Sequence, residues 1–153
     1  MTIFRVPVQR RFSDIDLLGH VNNVVFHDYL QEARVHVIRQ VTAGTHIGFT
    51  HVIVRQEINH RRPLYLKAEP VTVEIWIPTI GAASYQFAYR ILDDDGEVAA
   101  DALSVMAYFN PETKSASRIP PDVRALLTEA LEPDREMAPH RAGVDAHRAG
   151  AHG

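Results

Sequence analysis

The run Asp14-Ile15-Asp16-Leu17-Leu18-Gly19-His20-Val21-Asn22-Asn23 gathers two carboxylates, an imidazole, two amides and a glycine within ten residues. The eighteen residues that follow contain neither glycine nor proline and are rich in apolar side chains, so the stretch reads as a loop feeding a helix. A helix amino terminus carries unpaired backbone N–H groups and partial positive charge, which lets such a loop present a carboxylate beside an oxyanion site. A carboxylate so placed can attack a carbonyl or draw a proton from water. Gly19 is expected where the backbone takes a conformation that a Cβ would block.

A helix is expected from about residue 24 to 41, capped by Asn22 or Asn23. Its apolar positions (Val24, Val25, Phe26, Tyr29, Leu30, Ala33, Val35, Val37, Ile38, Val41) cover more than one stripe, so it is expected to be wrapped on several sides. A sheet must do the wrapping. Residues 2–12 alternate apolar and polar as a first strand, and later segments do the same: 51–59, rich in β-branched residues, then 71–77, 85–91 and 98–109. Asp93-Asp94-Asp95-Gly96 marks a hairpin between the last two. The expected order is one strand, the long helix, then four strands in a meander, and a short amphipathic helix begins at Pro120-Pro121. Residues 1–132 are read as one domain. Residues 133–153 turn to Pro, Gly, Ala, His and Arg and are read as a flexible tail.

Composition narrows the chemistry. With no cysteine among 153 residues, disulfides, thiolate nucleophiles and cysteine-ligated metals are excluded. A formal net charge of −3 gives no general drive toward nucleic acid or an anionic membrane. The amino terminus has no run of signal-peptide length and no long apolar span occurs, so a cytoplasmic protein is expected. The basic groups at Arg10-Arg11 and His60-Arg61-Arg62 are expected to be solvated. Glu32 and His36 stand i, i+4 without further ligands at recognisable spacing, so no metal site is expected. Tyr85, Phe87 and Tyr89 are read as core.

One strand, a loop, one long helix and a four-stranded antiparallel return resemble the hotdog fold, an α+β architecture in which a curved antiparallel five-stranded sheet wraps a central helix. The run from Phe12 to Asn23, with Tyr29, Glu32, Ala33 and Arg34 beyond it, resembles bacterial acyl-CoA thioesterases related to 4-hydroxybenzoyl-CoA thioesterase. The resemblance is specific over residues 10 to 34. It implies that Asp16, three residues before Gly19, acts on the thioester, and that the backbone N–H at Asn23 polarises its carbonyl. The His20-Val21-Asn22-Asn23 segment is also similar to plant acyl-carrier-protein thioesterases, where an aspartate four positions before the histidine again falls on Asp16. Those enzymes carry an asparagine where this chain has Leu18, so His20 departs from the plant pattern.

With no cysteine and no Gly-x-Ser-x-Gly elbow, Asp16 is the candidate nucleophile or general base, and His20 is kept as a further catalytic candidate. Asp14 is assigned to holding the loop. Arg61, Arg62 and Lys67 are candidates for the coenzyme A phosphates. Coenzyme A is then part of the substrate, and no cofactor is expected. A homodimer or dimer of dimers is expected, because a small curved sheet leaves an uncovered edge. Two alternatives use the same fold: an acyl-thioester hydratase or dehydratase, and a non-catalytic acyl-CoA-binding protein.

Overall fold

A computed structural model of the chain describes residues 2–48 and 50–133. Its elements are strand β1 (Phe4–Val8), helix α1 (Val25–Thr42), strands β2 (His51–His60), β3 (Val71–Trp76), β4 (Ser84–Leu92), β5 (Val98–Asn110) and β6 (Ser115–Ala116), and helix α2 (Pro121–Ala130). The strands form one antiparallel sheet in the order β1-β3-β4-β5-β2, with the two-residue β6 added beside β5. This is the expected hotdog architecture with one short strand more. The expected meander holds for β3, β4 and β5 alone. β2 follows the helix yet pairs with β5 along its whole length, so β1 and β2 lie at opposite edges of the main sheet.

Alternation decides which face meets the helix. Val71, Val73, Ile75 and Ile77 join Tyr85, Phe87, Tyr89 and Ile91 in the buried cluster, together with Phe26, Tyr29, Leu30, Ala33 and Val37 of α1. The helix packs closest to β1 and β3. Over β4 the space is filled by aromatic rings: Tyr85 and Phe87 meet edge-on with centroids 5.3 Å apart, and Tyr89 follows at 6.2 Å from Phe87. Helix α2 adds Val123, Leu127 and Ala130 to the same core, and the Glu132 N–H donates to the Ile77 carbonyl at 2.9 Å, closing the domain across β3.

The other face of the sheet carries a row of charge. Arg5, Glu74, Arg90, Asp101 and Asn59 are successive register partners across all five long strands. Arg5 pairs with Glu74 at 3.0 Å, Arg90 approaches Glu74 at 3.8 Å, and Asn59 donates to Asp101 at 3.1 Å. Opposite charges set directly across strands favour this register over a one-residue slip.

The helix is less enclosed than its composition suggests. Phe26, Tyr29, Leu30, Ala33, Arg34 and Val37 are buried, whereas Val24 and Val35 are exposed. Residues Asp28, Glu32, Val35, His36 and Arg39 line a groove of about 780 Å³ between α1 and β1. The buried face therefore carries the packing energy. Replacing the fully buried Leu30 by alanine is expected to lower stability by about 2–5 kcal/mol, read as a shift in the urea midpoint at constant slope.

Candidate active site at the start of the long helix

After β1 the chain makes a 3-10 turn, Phe12–Asp14, and the Asp14 side chain turns inward to 1% exposure. Its carboxylate accepts the Arg11 N–H at 2.9 Å, the Arg11 Nε–H at 3.0 Å and the Tyr29 hydroxyl at 2.7 Å. Its carbonyl accepts the Asn22 N–H at 2.8 Å. One residue thus ties the start of the loop to its end and to the second turn of α1. Burial would raise the Asp14 carboxyl, but the hydrogen bonds from Arg11 and Tyr29 outweigh it and hold the group below the usual carboxylate range. Tyr29 moves the opposite way, pushed up by burial and by the neighbouring carboxylate.

Asp16 organises the tip. Its N–H donates to the His20 carbonyl at 3.0 Å, its carbonyl accepts the Gly19 N–H at 3.0 Å, and its Oδ1 accepts the Leu18 N–H at 2.9 Å. Gly19 closes this turn at φ +83° with open space around it, so backbone conformation rather than crowding demands glycine. Asp16 is half-buried, and among the described residues nothing donates to its Oδ2. The turn holds one carboxylate oxygen and leaves the other unengaged among the described residues.

The loop then delivers the chain to the helix. The Asn22 Oδ1 accepts the Val24 N–H and the Asn22 carbonyl accepts the Val25 N–H, both at 2.9 Å. Asn22 therefore closes the turn just before α1, while Val24 occupies the N-cap position without a side-chain cap. Asn23 is exposed, and its N–H donates to no other described residue. Leaving it free at the positive end of an 18-residue helix makes it a ready donor to a developing oxyanion.

Residues 61–70 back this loop. The Val21 N–H donates to the Leu64 carbonyl at 2.7 Å, and His20 pairs with Tyr65 both through the backbone and through edge-on rings 5.5 Å apart. His20 is half-buried, close to Asp16 in sequence, and its backbone carbonyl, not its ring, is what meets Asp16. Arg10 fixes the backing segment. Expected to be solvated, it is instead 3% exposed, and it donates to the Tyr65 carbonyl at 3.1 Å, to the Glu69 carbonyl at 2.6 Å and to Asp94 at 2.8 Å. Arg10 and then Lys67, 3.2 Å away, hold the Asp94 carboxyl down to about 2. The signal is present in the sequence: Arg10 continues the period-two series Phe4, Val6, Val8 that faces the core.

The three cations considered for phosphate sit on or near the same segment, each beside a carboxylate. Arg61 pairs with Asp101, Arg62 lies 3.9 Å from Asp93, and Lys67 pairs with Asp94. The Arg62 and Lys67 side chains are about half exposed and Arg61 much less so. Glu32 and His36 lie in the groove beside β1, and among the described residues no group of three His, Asp or Glu is arranged to hold a metal ion. Among the same residues no helix is long and apolar enough to cross a membrane. The tail from residue 134 onward lies outside the described residues.

The family model of the thioesterase-like superfamily matches residues 10–127, a span that contains the loop, the helix and the whole return sheet. The chain belongs to the thioesterase-like superfamily. Membership places it among thioester hydrolases. Over 134 residues it is 27% identical to the long-chain acyl-CoA thioesterase FadM of Escherichia coli, covering 84% of this chain and 99% of that protein. A predicted thioesterase from Bacillus stearothermophilus superposes with a TM-score of 0.77 at 27% identity, covering 88% of this chain and 100% of the other. A thioesterase from Thermus thermophilus, solved with coenzyme A and Zn, gives 0.70 at 29% identity, covering 80% and 95%.

Asp14→Asn removes the charge from both Arg11 bonds, and because Arg11 is largely exposed the expected cost is about 1–3 kcal/mol. A depressed carboxyl contributes stability that is complete above its unfolded value of about 3.9 and is lost as pH falls through its lower folded value. Thermal melts should therefore separate wild type from Asp14→Asn at neutral pH and converge in acid.

Proposed function

We propose that this chain hydrolyses an acyl-CoA thioester to the free acid and coenzyme A, with the Asp16 carboxylate and the amino terminus of α1 as the two halves of its site. The observation that carries the reading is that a carboxylate with one oxygen unengaged stands in a turn that leads within seven residues to an unengaged N–H at the entrance of α1. The superfamily membership and the likeness to acyl-CoA thioesterases support it.

The thioester carbonyl oxygen takes the Asn23 N–H, and the helix terminus stabilises the charge that develops when the carbonyl carbon becomes tetrahedral. Asp16 either attacks that carbon, giving a mixed anhydride that water opens, or removes a proton from the attacking water. Collapse of the tetrahedral species breaks the C–S bond. The departing thiolate has a pKa near that of cysteine, about 8.5, so it leaves with little need of a general acid. His20, one turn from Asp16 and packed on Tyr65, lines the approach. Coenzyme A enters as part of the substrate and no further cofactor is required. Arg61, Arg62 and Lys67 are assigned to its phosphates, with Arg62 and Lys67 the more accessible.

The working unit is residues 1–132, acting in the cytoplasm as a homodimer or a dimer of dimers. The edge strand β2 supports assembly: Val52, Ile53 and Val54 are all exposed on it, and a bare apolar edge invites a second strand. Thiol release from a panel of acyl-CoAs tests the chemistry. Asp16→Asn is expected to lower the rate at least about a hundredfold with the fold intact by circular dichroism. Equal rates in mutant and wild type would remove Asp16 from the mechanism.

A further inference from the structure

A directed chain of hydrogen bonds runs from the core to the entrance of α1. Arg34, buried on the helix, can only donate, and its Nη1 gives to the Gln56 Oε1 at 2.9 Å and to the Tyr89 hydroxyl at 3.2 Å. The Tyr89 hydroxyl donates onward to Ser104 Oγ at 2.7 Å, and Ser104 donates to the same Gln56 Oε1 at 3.0 Å. Two donors on one oxygen settle the amide, whose oxygen faces the core and whose NH2 faces out. That NH2 meets Nδ1 of His27. Because an amide N–H donates, Nδ1 is the acceptor and the neutral imidazole carries its proton on Nε2.

His27 stands beside the candidate site. Val24 already has helical torsions, φ −64° and ψ −34°, and the His27 N–H donates to the Val24 carbonyl at 3.1 Å, so the helical path reaches back before the first residue of α1. Residues four apart on such a path are neighbours on one face, with Cβ atoms about 5–6 Å apart, and helical side chains lean toward the amino terminus. The His27 ring therefore leans toward Asn23. His27 is exposed, and its Nε2 has no hydrogen-bond partner among the described residues, so this N–H is reached from solvent without entering the core. The charged and titratable groups around the ring are His60 from β2, Arg34 behind Gln56, and Asp28 next in the chain, whose carboxylate lies 4.0 Å from Arg11.

We infer that His27 is a second donor to the thioester carbonyl, its neutral Nε2–H joining the Asn23 N–H at the oxygen that takes up charge. The inference rests on the acyl-CoA hydrolysis proposed above and adds a catalytic residue to it. Gln56, held by Arg34 and Ser104, is a positioning residue: it keeps the imidazole proton on the nitrogen that faces outward. A donor whose orientation is set before the reaction stabilises a developing oxyanion without reorganisation.

The test is thiol release by the intact protein from a panel of acyl-CoAs, followed against pH. His27→Ala is expected to lower kcat about a hundredfold with KM little changed, and His27→Gln, which restores an N–H near the Nε2 position, to recover at least about tenfold of that loss. Gln56→Glu reverses the chain: its carboxylate accepts from Arg34 and from His27 Nδ1–H, which leaves Nε2 bare on the neutral ring. Its kcat should then depend on a doubly protonated imidazole and fall as pH rises between about 5 and 8, a limb the wild type lacks. Nitrogen-15 NMR of the wild-type protein reads the tautomer without any substitution, and Nε2–H is expected at His27. A His27→Ala kcat within about threefold of wild type, too little for a lost oxyanion donor, would overturn the donor role while leaving hydrolysis standing. A proton found on Nδ1 of neutral His27 would overturn the positioning by Gln56. If the wild type releases no thiol from any acyl-CoA, the hydrolytic reading falls and the donor role with it.

Discussion

A single buried carboxylate joins the parts of this molecule that must act together. Asp14 binds Arg11 behind it, Tyr29 on the helix and, through its carbonyl, Asn22 at the helix entrance. Without that junction the loop would be a surface excursion between a strand and a helix, free to swing its tip away from the helix terminus. With it, the chain leaves and re-enters the core at fixed points, and the Asp16 turn between them has few conformations left. Arg10 performs the matching task from behind, tying residues 65 and 69 to the β4–β5 hairpin.

Rigidity of this kind matters because the proposed chemistry is electrostatic. A backbone N–H at a helix terminus stabilises an oxyanion only if it already points where charge will develop, since reorganising dipoles during the reaction would forfeit the gain. Packing of α1 through Tyr29, Leu30, Ala33 and Val37 onto the sheet fixes where its first turn ends. The turn at Asp16 uses one carboxylate oxygen for its own geometry and keeps the other clear. In the proposed mechanism, stability and chemistry thus draw on different atoms of one side chain.

Much of this is legible in the sequence because it rests on local rules. The loop, the helix and the strand alternation follow from glycine and asparagine placement and from periods of 3.6 and 2, and these locate Asp16, His20 and Asn23 on one short stretch. Pairing across the sheet is non-local. Nothing in residues 51–60 themselves states that they lie beside β5 and not β3, so the meander is the simpler expectation, and the structure places β2 at the far edge. Arg10 departs from expectation for a related reason: a charge at a strand end is usually solvated, and only its period-two phase with Val6 and Val8 reveals that it faces inward to Asp94. Arg34 lies inside the family-like motif, but its neutral surroundings come from Gln56, Tyr89 and Ser104 on three separate strands.

The central claim is spatial: the thioester carbonyl rests on the amino terminus of α1 with its carbon facing residue 16. A crystal structure of Asp16→Asn with an acyl-CoA bound tests it directly. The carbonyl oxygen is expected within about 2.7–3.1 Å of the Asn23 nitrogen, with the residue 16 side chain beside the carbonyl carbon. A thioester lodged instead in the groove between β1 and α1, away from Asn23, would contradict it.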